Sequence, residues 1–243
     1  MLPAALLQIS NLASGIGNST VVIMIPWLIL ERTDSPTFAG TVVALSALPA
    51  LLIAPNGGWL VDHLGKKKVS ISADLFSDLS VLAFPIVAST TELSNLSILL
   101  IALFGAVFDP VGYTARRTLI LDVANASKIQ VDKLNGVHEG FLGVSWILGP
   151  ALGAWLIATF GAINSFWVSG ALFIIAAISI IILALLNKKT SINEIATEST
   201  KSSEESSVKI GFTLVWQDRL IRTLTIAVLV IAAIYLPSES IVL

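Results

Sequence analysis

The chain has 243 residues, 55% of them hydrophobic and only 12% charged, with a formal net charge of −2 and a mean hydropathy of +0.89. A soluble domain carries about 25% charged residues, so these charges are too few to cover a water-soluble fold, and the composition is that of a polytopic membrane protein. The lack of cysteine excludes disulfides, thiolate metal sites and thiol nucleophiles, and two histidines far apart in sequence argue against a histidine-rich metal centre.

A spanning helix needs about 20 mainly apolar residues. The first such stretch is 7–30. The residues before it, MLPAALLQ, lack the basic region of a secretory signal, so this span is expected to remain as an anchor. Its Gln8, Asn11 and Asn18 face either a polar cavity or neighbouring helices. The second span, 37–61, runs into GGWLVDHLGKKKV at 57–69. Here Gly57 and Gly58 leave room for a close helix approach, Gly65 permits a tight turn, and the three lysines face anionic headgroups.

The third span, 69–90, carries Asp74 and Asp78 one turn apart on one face. Both are expected to pair with cations of the adjoining loops. The fourth, 96–116, places Asp109 near its middle, followed by Pro110. An aspartate there costs about 2.5–3.5 kcal/mol on insertion scales, which makes it the chief candidate for coupling to protons or substrate. Arg116 and Arg117 close this span as orienting charges and leave no arginine inside it. The fifth, 136–158, holds a second coupling candidate, Glu139, also placed to snorkel to the interface. It carries the row Gly136, Ser145, Gly149, Pro150 and Gly153, in which small residues allow close packing and proline removes one backbone bond.

The sixth span is 163–186. Residues 187–218, rich in Ser, Thr, Glu and Lys, read as a flexible linker that ends in a short interfacial helix. A seventh span, at 220–242, lies within the last part of the chain, 219–243. Thirteen of the fourteen Lys and Arg fall in the longer loops on one side, and Arg32 is alone on the other. The positive-inside rule therefore puts the N-terminus and the linker in the cytoplasm.

Gly58-Trp59-Leu60-Val61-Asp62-His63-Leu64-Gly65-Lys66-Lys67 fits the pattern G-x-L-x-D-[RK]-x-G-[RK]-[RK], with His63 at one basic position. It resembles the loop between the second and third helices of the major facilitator superfamily. FDPVGYTARRTLILDV and LNGVHEGFLGVSWILGPALGAWL look like the fourth and fifth helices of its macrolide-exporter-like drug efflux branch. The row on the fifth span is a partial match to that superfamily's antiporter motif, with Ser145 and Ala154 in glycine slots.

The resemblance implies an all-α fold: the N-terminal six-helix bundle (1–186) of a secondary transporter, then the linker and the first helix of a second bundle. It implies proton-coupled efflux of small amphipathic or drug-like molecules by alternating access, across the cell (plasma or inner) membrane. Gly58, Asp62, Gly65, Lys66 and Lys67 would form the gating loop, with Asp62 and Lys66 latching the inner gate. The implied partners are a small-molecule substrate, protons, the lipid bilayer and the second six-helix half. Neither a cofactor nor nucleic acid is expected. A phosphate-binding GxxxxGK[ST] loop is absent, so ATP-driven transport has no support. His-Glu-x-x-His and G-x-S-x-G are absent too, and enzymatic activity is not expected. Two alternatives remain at this level: a non-transporting truncated half-protein, and a seven-helix receptor or sensor.

Overall fold

In the computed structural model the chain forms α1 (Leu2–Thr33), α2 (Pro36–Leu64), α3 (Lys66–Thr90), α4 (Asn95–Ser127), α5 (Val131–Phe160) and α6 (Ala162–Thr190). The structure describes residues 1–190, the backbone alone at 50, 54–56 and 187–190, together with Trp216, Gln217, Arg219, Arg222, Thr223, Ile226 and Ala227. Among the described residues six helices are long and apolar enough to cross a membrane, and there is no strand. This is the all-α polytopic fold that the apolar spans and the family resemblance led one to expect. A second unit begins at Ala196; its seven described residues are all helical. Residues 191–215 and most of the seventh span lie outside the described residues.

Local chemistry sets the helix ends. Ser35 caps α2 by accepting a hydrogen bond from the Phe38 N–H at 3.2 Å, with Pro36 at the first helical position, where its missing N–H costs nothing. Ser94 caps α4 in the same way through the Ser97 N–H. Gly65 is the single residue between α2 and α3 and has φ 90°, a conformation that a side chain would strain. It turns the chain at the end of the bundle that also carries Lys66–Lys68 and Lys128, here called the basic end.

The largest departure from expectation is α4. It runs eleven residues past Arg116, to Ser127. Leu119, Ile120, Val123 and Ala124 are buried at helical spacing, so the amphipathic pattern continues after the arginines although the uninterrupted apolar run has ended. Arg116 is therefore an interior residue of its helix, which continues where the apolar run stops.

α1 packs on α5 and α6, α3 lies against α4 and α6, and α2 rests mainly on α4. Besides a small cluster of Val61, Val69, Val111 and Ala115, two large apolar clusters fill the interior. One, with Met24, Leu28, Phe84, Ile98, Phe166 and Phe173, lies away from the basic end. The other, with Leu7, Leu119, Val123, Leu134, Ile180 and Leu183, lies toward it. Between them runs a band of buried polar side chains that includes Asn11, Ser14, Asp74, Ser77, Arg116, His138 and Ser145. Large exposed apolar residues such as Leu52, Trp146, Ile147 and Leu185 suit a hydrocarbon surround.

Helices in lipid associate through close packing rather than through a hydrophobic drive, and small residues make that packing here. At the α1–α5 contact, a Cβ on Gly15 would lie 2.6 Å from the Ser145 hydroxyl, and one on Gly153 would lie 3.2 Å from the Thr20 carbonyl oxygen. A Cβ on Gly149 would run into Ser19, whose hydroxyl donates to the Ser145 carbonyl at 2.8 Å. At the α3–α4 contact, Gly112 meets Ala73 and Gly105 meets Ser80 in the same manner.

Among the described residues no helix comes close at Gly57 or Gly58, contrary to expectation. A Cβ at Gly57 would make an ordinary 3.7 Å contact with Thr114, and one at Gly58 would meet none of the described residues. Nor would one at Gly136, the first residue of the fifth-span row. The close approaches fall instead at Gly15, Gly17, Gly105, Gly112, Gly149, Gly153 and Gly170.

Candidate functional site

A cavity of about 180 Å³ opens between α1, α2, α3 and α4, with Phe173 of α6 at its edge. Val21, Val22, Ile25, Val42, Val43, Val81 and Phe84 make most of its wall apolar, while Asn18, Ser46, Ser77, Ser80 and Asp109 supply polar groups. Asp109 is the ionisable residue in this lining. Its Oδ1 accepts a hydrogen bond from the Ser77 hydroxyl at 3.1 Å. Pro110 follows it inside α4 and removes one backbone donor from the same turn. The arrangement offers an apolar chamber with one carboxyl in its wall, which suits a small amphipathic molecule.

The expected pairing of Asp74 is corrected. It does not meet a loop cation. Its Oδ1 accepts from Arg116 Nη1 of α4 at 2.8 Å, and the two side chains are 1% and 5% exposed. Breaking a buried pair such as this leaves an uncompensated charge. Asp78 also differs from expectation: it is buried against Gly170 of α6, and its Oδ1 has no hydrogen-bond partner among the described residues. Sequence reasoning gave no role to His138, which is fully buried on α5 with neither ring nitrogen bonded among the described residues. Its carbonyl accepts from Asn11 Nδ2 of α1 at 2.9 Å. The polar face of α1 is thus turned to its neighbours at Asn11 and to the cavity at Asn18.

Glu139 does not line the cavity. It pairs with Arg117 across α4 and α5 at 3.2 Å, with the arginine side chain exposed and the glutamate partly so. Arg117 also donates to the Tyr113 hydroxyl at 3.2 Å and lies over that ring. The two coupling candidates therefore occupy different settings: Asp109 in the chamber wall, and Glu139 in an open ion pair.

In the turn expected to act as the gating loop, Asp62 is exposed. Lys66 forms an ion pair with Asp122 near the end of α4 at 3.0 Å, with the side chains 36% and 44% exposed. Asp122 was not foreseen, since nothing in the sequence links positions so far apart. Lys66 therefore ties the turn after α2 to the extension of α4, while Lys67 and Gly65 complete the turn. His63, at a position where the pattern has Arg or Lys, packs its ring on Trp59 at 4.4 Å, with Nδ1 3.2 Å from the Trp59 carbonyl. Among the described residues no cluster of His, Cys, Asp and Glu has the makings of a metal site.

Comparison with known proteins agrees with this architecture. Residues 7–242 match the Major Facilitator Superfamily. The multidrug efflux pump Tap of Mycolicibacterium fortuitum is 33% identical over 242 residues, covering 98% of this chain and 58% of the pump. Tap of Mycobacterium tuberculosis (strain ATCC 25618 / H37Rv) is 32% identical over 242 residues, 98% of this chain and 57% of its own length. The multidrug resistance protein MdtG of Dickeya zeae is 29% identical over 147 residues, 60% of this chain and 34% of its own. The chain thus spans a little over half the length of the Tap pumps. With six membrane-length helices in one bundle and a match along almost its whole length, the chain belongs to the major facilitator superfamily.

Proposed function

We propose that this chain is the first bundle of a proton-coupled exporter of small amphipathic or drug-like molecules, working with a second six-helix half by alternating access. The observation that carries this reading is the cavity whose mainly apolar wall holds Asp109. A chamber of about 180 Å³ is smaller than the ~300–1,000 Å³ of a typical ligand pocket, in keeping with one half of a site whose other walls come from a second bundle. Asp109 takes a proton when the chamber faces outward and yields it inward, and it attracts a cationic substrate when ionised. The basic end faces the cytoplasm of a cell membrane, where its lysines meet anionic headgroups. Gly58, Asp62, Gly65, Lys66 and Lys67 form the inner gate, with the Lys66–Asp122 pair as its strut.

The test uses a transporter that joins this chain to its second half. Asp109→Asn should preserve expression and the downhill movement of a neutral substrate, yet abolish accumulation driven by a pH gradient. Concentration of substrate by the Asn variant would assign Asp109 to a structural contact. Asp62→Asn in the same protein should cut transport strongly while leaving membrane insertion intact; undiminished transport would make the loop a turn and nothing more.

A further inference from the structure

The α3–α4 seam brings two carboxyls to one guanidinium. Asp74 and Ser77 are one turn apart on α3, and Arg116 and Asp109 lie two turns apart along α4, with Gly112 between them. Arg116 bonds Asp74 at 2.8 Å and Ser77 bonds Asp109 at 3.1 Å, so the two rungs are neighbours. The guanidinium extends along α4 toward Asp109: a Cβ at Gly112 would lie 3.6 Å from both Nη1 and Nη2. Glycine there leaves a bare stretch of helix along which the arginine can reach.

The elements around the seam supply few other charges. α1 sets Ser14 beside Asp74 and has no ionisable side chain before Glu31. α2 has none between Pro36 and Val61, nor α6 between Ala162 and Leu186. From α5 come the buried His138 and the partly exposed Glu139, which is already paired with Arg117. On α3 itself, Asp78 is turned toward Gly170 of α6. Arg116 is thus the buried arginine within reach of both acids.

With both acids ionised the seam would carry a net negative charge between two apolar clusters, an arrangement that low dielectric strongly disfavours. One proton makes it neutral. We propose that Asp74, Asp109 and Arg116 form a single proton-binding site, in which the two acids share one proton and Arg116 pairs with whichever acid is ionised. In one state, to which the Arg116–Asp74 contact seen here corresponds, Asp74 is ionised and the proton sits on Asp109. In the alternate state the proton sits on Asp74 and Arg116 crosses Gly112 to Asp109. Charge is zero in both states, because one proton leaves one carboxyl as one arrives on the other. Only the link to transport rests on the exporter reading: a cationic substrate bound at ionised Asp109 would replace the shared proton while Arg116 stays on Asp74.

The site can be tested on the whole chain in lipid nanodiscs, without transport. Infrared difference spectra of aspartate-labelled protein report how many carboxyls are protonated. Asp78 contributes equally to every sample. Relative to wild type, Asp74→Asn and Asp109→Asn should each lose the same one-carboxyl signal, since the remaining acid then pairs with Arg116. Arg116→Gln should gain a second. A signal that survives Asp74→Asn unchanged and vanishes only in Asp109→Asn would show two independent acids and overturn the proposal, as would no loss in either. Should Arg116→Gln fail to fold, the two Asn variants still decide. If these spectra show the shared proton while Asp109→Asn still accumulates substrate from a pH gradient, the exporter reading fails and the shared site stands.

Discussion

Gly149 and Gly136 occupy the same helix and the same sequence motif, yet their surroundings differ completely. A methyl at Gly149 would collide with Ser19, whereas one at Gly136 meets none of the described residues. Gly149→Ala should therefore destabilise the bundle by the ~1–3 kcal/mol typical of overpacking, and Gly136→Ala should be near neutral. Thermal unfolding of the two variants in the same detergent checks this; equal midpoints would contradict the packing described at α1–α5. The ion pairs divide in a similar way. Arg116→Ala strands a buried carboxylate and should cost ~3–5 kcal/mol, while Lys66→Ala breaks an exposed pair worth ~1 kcal/mol or less. Yield and melting temperature should fall sharply for the first variant and little for the second. Sequence alone ranked these residues poorly. Gly57, Gly58 and Gly136 look like packing glycines, but which glycine faces a neighbour depends on helix rotation, which a motif does not state.

For whole elements, hydropathy identified six of the helices because a run of about 20 apolar residues has few other interpretations. It erred where polar residues continue a helix, as in α4. The double arginine ended the apolar run but not the helical spacing of buried Leu119, Ile120, Val123 and Ala124. The double arginine hid the site as well: read as the charges that close a span, it gave no reason to consider a pairing of Arg116 with Asp74. A proline pair tests the extension. Val123→Pro lies inside it and should cost ~3 kcal/mol or more, lowering folded yield. Gln130→Pro falls at the cap of α5, where φ is −62° and already suits proline, so it should be tolerated. If both express and melt alike, the last turns of α4 are not a fixed part of the bundle.

On the scale of the whole molecule, the absence of cysteine makes orientation directly measurable. Glu92→Cys, between α3 and α4, should label from outside the cell with an impermeant thiol reagent, and Lys128→Cys, between α4 and α5, only from inside. Labelling of both from one side would contradict the bundle as a set of spans, and the reversed pattern would invert the positive-inside assignment. The polar face of α1 has a further consequence, one of timing. Its partners on α5 lie far along the chain: Ser19 bonds Ser145 and Gln8 reaches Leu134, each 126 residues later. At ~5–20 residues per second, synthesis takes roughly 6–25 s to cover that distance. Through most of that interval α1 is a finished helix without its α5 partners: Ser19 can still bond the Gly15 carbonyl of its own helix, but the contacts across to α5 do not yet exist. A ribosome stalled between α4 and α5 should therefore leave α1 open to quality-control proteases, a vulnerability that ends only when the fifth helix arrives.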